Sequence, residues 1–167
     1  DIVPGTSTLN SPISRKVTPL LNLDSLYGDK SLYHFLFESD GKFKLGKSKF
    51  DVLRDEYGKA IIPESRNDEN VIIVQFHSLW QRIHNKFCEL VFENCPTDIK
   101  VNHGELIHRE AKILTIALFH LITIEDYLRT ILDEQVFNAY FSNPMDYIIT
   151  ARSTWEKLPL EFTHAAF

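Results

Sequence analysis

Between Asn67 and Leu90 the apolar residues Ile72, Phe76, Leu79, Ile83, Phe87 and Leu90 return every three or four positions. That spacing places them along one face of an α-helix and does not suit a strand, whose side chains alternate with a period of two. Asn67 or Asp68 is the expected N-cap, and the acids Asp68 and Glu69 suit the positive end of a helix. A second helical run is expected from near Gly104, with Leu106, Ile113, Ile116, Ala117 and Leu121 on a broad apolar face. It should bend or break near ITIEDYL and give another helix through Leu132. Asn143-Pro144 reads as a turn, and Leu158-Pro159 opens the last segment. The fold class that follows is mainly α with long loops.

Outside those runs the period is lost. Residues 1–18 carry Pro4, Gly5 and Pro12 with scattered Ser and Thr, the composition of an extended arm. TPLLNLDSLYG, Thr18 to Gly28, alternates small polar with apolar residues and reads as an extended loop closed by a Tyr27-Gly28 turn. KFKLGKSKF, Lys42 to Phe50, alternates like a short hairpin strand.

Composition narrows the function classes. A chain of 167 residues, 44% hydrophobic with six glycines, can bury a single-domain core and is not of disordered type. Its net charge of -5 comes from intermixed signs, so no basic block points to nucleic acid or to an anionic membrane. The longest apolar run, Ile113 to Ile124, is broken by Thr115, His120 and Thr123 and falls short of the roughly 20 residues a bilayer requires. No transmembrane segment is expected. Cys88 and Cys95 have six residues between them, neither a redox nor a zinc spacing. A start at Asp1 and an end inside the apolar EFTHAAF make the chain read as a piece of something longer.

Two features invite chemistry. Arg66 sits in a short polar loop immediately before the best-marked helix, where the ordinary role is an ion pair with Glu64 or Asp68. His77 and His84 lie seven residues apart on roughly one helix face, about 10 Å along the axis at 1.5 Å per residue, too far to share a metal ion. They read as structural, hydrogen-bonded histidines.

Four segments, LNLDSLYG, ESRNDENVIIVQFHSLWQRIHNKF, EAKILTIALFHLITIEDYL and LPLEFTHAAF, occur in the order shown by the animal-type haem peroxidase superfamily. The RNDEN context followed by QFH and IHN most resembles its microbial peroxidase-like branch. The resemblance covers about Thr18 to Phe167 and implies a partial haem peroxidase domain over residues 1–167. Within it, residues 1–30 are an arm and a calcium loop, 31–62 a variable segment, and 63–167 the helical haem-distal core.

The resemblance also implies roles. Arg66 takes the position of the arginine over the distal face of haem, where a permanent guanidinium charge meets the negative charge developing on the departing peroxide oxygen. Glu69 matches the acid that some members esterify to a haem methyl. Thr18, the Leu20 carbonyl, Asn22 and Asp24 match the calcium ligands, with Asn22 standing where a carboxylate is often found and so lowering the negative charge of the site. The family's proximal histidine would follow Phe167 and its distal histidine would precede Asp1, so His164 is expected to be a helix residue near the haem rather than its ligand.

The implied activity is a peroxidase, using haem b and calcium, that reduces hydrogen peroxide or organic hydroperoxides and oxidises a small reducing or lipid substrate, in a context of oxidative stress. Two alternatives stay open. One is a fatty-acid dioxygenase of the same superfamily, in which a tyrosyl radical abstracts hydrogen from a lipid. The other is a haem-free helical domain kept for protein binding.

Overall fold

The computed structural model describes residues 21–95 and 104–141, and these are mainly helical. Two compact units divide the chain, residues 1–120 and residues 121–167. In the first, α1 (Asp24–Tyr27) and α2 (Tyr33–Leu36) are single turns, and α3 (Val71–Asn94) and α4 (Gly104–Leu121) are the long helices. None of the described helices is long and apolar enough to cross a membrane.

The described part of TPLLNLDSLYG is a helical turn, not the extended loop expected. Leu23 sits in the left-handed region at φ 55° and turns the chain into α1, and Gly28 closes it at φ 63°. A side chain at Gly28 would be strained by that backbone and would press a Cβ to within 2.9 Å of Pro63 Cγ. Thr18 and Leu20 lie outside the described residues.

Residues 37–60 do not contain the hairpin strand that KFKLGKSKF suggested. They reverse through isolated antiparallel bridges, Phe37 to Phe43, Leu45 to Val52 and Arg54 to Ala60. Side chains in the turns account for this. The Asp40 carboxylate accepts from the Lys42 amide, the Ser48 hydroxyl from the Phe50 amide, and the Asp55 carboxylate from the amides of Tyr57 and Lys59. Such local bonds turn the chain back before a ladder can grow.

α3 is 24 residues long, and its N-cap is Asn70, whose side chain accepts from the Ile72 amide at 2.8 Å. The cap is therefore neither Asn67 nor Asp68, because Ser65–Asp68 forms a 3-10 turn of its own. The helical period was read correctly, but the expected apolar face is not the buried one. Val74, His77, Ser78, Gln81, His84 and Cys88 are buried, while Ile72 is 63% and Phe76 58% exposed.

Much of the polar stripe is buried against hydrogen-bond partners from other segments. Asn85 mimics a strand neighbour, its Oδ1 accepting from the Phe43 amide at 2.6 Å and its Nδ2 donating to the Phe43 carbonyl at 3.0 Å. Ser78 Oγ donates to the Phe50 carbonyl at 2.8 Å. His84 Nε2 lies 3.1 Å from the Gly41 carbonyl and Nδ1 lies 3.0 Å from the Tyr27 hydroxyl. A carbonyl can only accept, so Nε2 carries the proton and Tyr27 donates to Nδ1. Burial holds the His84 pKa down to about 4, and burial also raises that of the Tyr27 hydroxyl, so the pair is neutral.

Around this pair lies the core, Leu26, Tyr27, Leu36, Phe37 and Phe43, with Trp80 and Ile116 packed against it. A second cluster, Cys88, Ile107 and Ala111, joins α3 to α4. The close approach of the 38–42 turn to the start of α4 requires Gly104, where a Cβ would stand 1.9 Å from the Ser39 carbonyl oxygen.

The second unit holds a π-helical stretch, Ile122–Leu128, followed by α5 (Arg129–Ile131) and α6 (Glu134–Phe141). The break expected at ITIEDYL is this π stretch. Arg129 pairs with Glu125 at 2.7 Å and lies 4.3 Å from the centre of the Phe137 ring. Residues 142–167, with Asn143-Pro144, Leu158-Pro159 and His164, lie outside the described residues.

Candidate functional site

The 3-10 turn Ser65–Asp68 carries the residue of greatest chemical interest. Glu64 opens it in an extended conformation, and its Oε1 accepts from the Arg66 amide at 3.1 Å. The same carboxylate takes both ends of the guanidinium, Arg66 Nε at 2.9 Å and Nη2 at 2.8 Å. This is the Glu64 partner that the loop spacing offered, and not Asp68. Its side chain is 13% exposed against 42% for Arg66, so the acid forms the base of the site and the cation its rim. The Glu64 carboxylate raises the arginine's already high pKa further, and the guanidinium stays charged.

Asn67 and Asp68, the two residues between Arg66 and Glu69, are both held from outside the turn. The Asn67 amide nitrogen lies 3.0 Å from His77 Nδ1 on the buried side of α3. With the amide as donor, Nδ1 accepts and the ring proton sits on Nε2. Burial lowers the His77 pKa to about 4, so the ring is neutral. Asp68 receives two parallel bonds from Arg54, Nη1 to Oδ2 and Nη2 to Oδ1, each 2.8 Å. Arg54 Nε also reaches Asp51 at 2.8 Å, and Nη1 reaches the Gly58 carbonyl at 3.0 Å. Its guanidinium holds the carboxyls of Asp68 and Asp51 below the usual range.

Glu69 follows the turn, exposed, with its amide bonded to the Arg66 carbonyl at 3.1 Å. Immediately beyond it the first turns of α3 present apolar surface to solvent. Val71, Ile72, Gln75, Phe76 and Leu79 line an open cavity of about 320 Å³ there. In the chain, the Arg66 turn and Glu69 come directly before this exposed apolar surface. His77 Nε2 and Gln81 Oε1 are buried one helical turn apart without a hydrogen-bond partner among the described residues. The two atoms, a donor and an acceptor, are complementary to one ordered water.

The expected calcium residues are described only in half. Asn22 Oδ1 accepts from the Asp24 amide at 3.2 Å, an Asx bond, and Asp24 begins α1. Among the described residues no group of three or more His, Cys, Asp or Glu is arranged to hold a metal ion. Cys88 and Cys95 are free thiols, and burial pushes that of Cys88 up to about 12.

Sequence reasoning singled out Arg66 and Glu69 and passed over Arg54. Its loop has no helical period, and an arginine twelve positions from Arg66 carries no local signal of contact. The one clue was the surplus of acids, Glu64, Asp68 and Glu69, around a single loop arginine.

A search of curated proteins and of solved structures finds no match. A family model described as animal haem peroxidase matches residues 30–167, which include the Arg66 turn and both long helices. The chain belongs to the animal haem peroxidase family.

Proposed function

We propose that this chain supplies the distal side of a haem peroxidase, in which hydrogen peroxide or an organic hydroperoxide is reduced and a small donor is oxidised. The observation that carries the proposal is the Arg66 turn, a permanent cation paired with Glu64 and followed in the chain by the exposed apolar start of α3. The residues fit haem b. Its apolar face suits the exposed Val71, Ile72 and Phe76, and Arg66 and Glu69, just ahead of them in the chain, would provide polar contacts. When bound, the haem iron supplies the redox chemistry.

Arg66 supplies charge. Its protons are not released at any accessible pH, so it cannot act as the acid or base and serves instead as a fixed donor to the oxygen on which charge develops. Glu64 at the base of the turn keeps the guanidinium in place. Glu69 is exposed at the end of the turn, where a haem contact or an ester to a haem methyl has room to form.

For calcium, Asn22 and Asp24 contribute oxygen donors two residues apart, a chemistry that suits a hard cation. Thr18 and the Leu20 carbonyl complete the proposed set. Asp24→Ala should lower thermal stability when calcium is present and have a smaller effect with chelator, because an ion that binds only the folded state stabilises by mass action. Equal losses under both conditions, measured in paired melts, would make Asp24 a turn residue alone.

The peroxidase reading is tested by titrating the intact protein with haemin and following the Soret band. The loaded protein is then assayed for peroxide-dependent oxidation of a general electron donor and for oxygen uptake with a polyunsaturated fatty acid. Donor oxidation with little oxygen uptake is expected. Oxygen incorporation into the fatty acid would move the assignment to a dioxygenase, and a folded protein that takes up no haem would leave an interaction domain.

A further inference from the structure

We infer that Arg54 is a positioning residue for Arg66 and Glu69, acting through Asp68, and that it fixes the turn against the 51–60 loop. The inference rests on the proposed role of Arg66 and adds to it a residue twelve positions away.

A 3-10 turn of four residues has little rigidity of its own, since its few hydrogen bonds have poor geometry. Here its last two residues are tied down, and by different elements. Asn67 is bonded to His77 on α3, and Asp68 to Arg54 on the loop. Arg66 before them and Glu69 after them are exposed. The clamp thus lies between the two exposed residues, Arg66 and Glu69.

The Arg54 side of the clamp has the more demanding geometry. Two parallel N–H to oxygen bonds at 2.8 Å fix distance and orientation together, which a single point contact cannot do. The guanidinium is itself fixed, because Asp51 holds Nε and the Gly58 carbonyl holds Nη1. The Asp51 carboxylate also accepts from the Val52 amide at 2.8 Å, and Val52 is fully buried in the bridge to Leu45. Contact is therefore continuous from a buried bridge, through Asp51 and Arg54, to the residue next but one to Arg66. Lysine at position 54 would keep the charge and lose the fork.

The test uses Arg54→Ala, Arg54→Lys and Asp68→Asn in the intact protein, with two readings on each. The first is amide hydrogen exchange over residues 64–70, where the Asn67 amide is bonded to the Glu64 carbonyl and the Glu69 amide to the Arg66 carbonyl. All three variants should exchange about tenfold faster there, as expected when a local opening loses its restraint, with residues 81–88 of α3 unchanged. The second is the rate of peroxide reaction in haem-replete protein, expected to fall by about 10- to 100-fold at unchanged haem content, the scale of a small misplacement at a reacting centre. Exchanging the pair, Arg54→Asp with Asp68→Arg, should recover part of both losses.

Unchanged exchange over 64–70 in Asp68→Asn, which keeps the side-chain size, would overturn the clamp even if Arg54→Ala proves unstable. Faster exchange with an unchanged peroxide rate would overturn the positioning role, provided that Arg66→Ala is slow. If Arg66→Ala is as fast as the parent protein, the peroxidase role of Arg66 fails, and with it any positioning of that chemistry by Arg54.

Discussion

Replacing His84 by alanine is expected to cost on the order of 3–5 kcal/mol of stability, enough to threaten a single domain of marginal stability. The ring is fully buried at the centre of the aromatic core, 5.0 Å from Phe43 and 5.1 Å from His108 between ring centroids. Removing it opens a cavity there and also leaves the buried Tyr27 hydroxyl without its acceptor. His84→Phe should lose less, because it refills the volume and forfeits only the bonds. Urea unfolding followed by circular dichroism distinguishes them, and equal stability of the alanine variant and the parent would contradict the core described.

The same histidine makes stability depend on pH. His84 and His77 are both held down to about 4 by burial, against about 6.5 when unfolded. Between those values the unfolded chain binds protons that the folded one refuses. Stability is therefore complete above about pH 6.5 and is lost as pH falls toward 4, on the order of 3 kcal/mol for each ring at the low end. The carboxyls of Asp51, Asp68 and Glu89, whose pKa values are lowered by Arg54 and Lys86, lose their contribution only at lower pH. His84→Phe should remove about half of the loss between pH 6.5 and 4.

The sequence analysis found the long helices and the break at ITIEDYL because each leaves a periodic trace. It misjudged which face of α3 is buried, since a pattern of apolar residues marks where they stand and not where the rest of the fold packs. His77, Ser78, Gln81, His84 and Asn85 look like a solvent face until partners from distant segments are known. Tyr27, Gly41, Phe43 and Phe50 supply bonds across 28 to 57 positions of sequence. The cap was misplaced for a related reason: Asn67 and Asp68 are good caps in isolation, but His77 and Arg54 recruit them and leave the cap to Asn70.

The site was legible in proportion to how local it is. Arg66 stood out as a loop arginine ahead of the best-marked helix and Glu69 only through the family resemblance, whereas the residues that hold their turn lie in another loop and on the polar side of α3. Asn22 and Asp24 were marked by the family resemblance, and the structure adds the Asx bond between them.

The central claim is that Arg66 stabilises charge in a haem peroxidase, and stopped-flow spectroscopy of the haem-replete intact protein tests it most directly. Arg66→Ala should bind haem as the parent protein does and react with hydrogen peroxide about 10² to 10³ times more slowly, the usual effect of removing one preorganised donor from developing charge. Arg66→Lys, which keeps a cation without the fork, should fall between them. A haem-replete Arg66→Ala protein that reacts with peroxide at the parent rate would contradict the account.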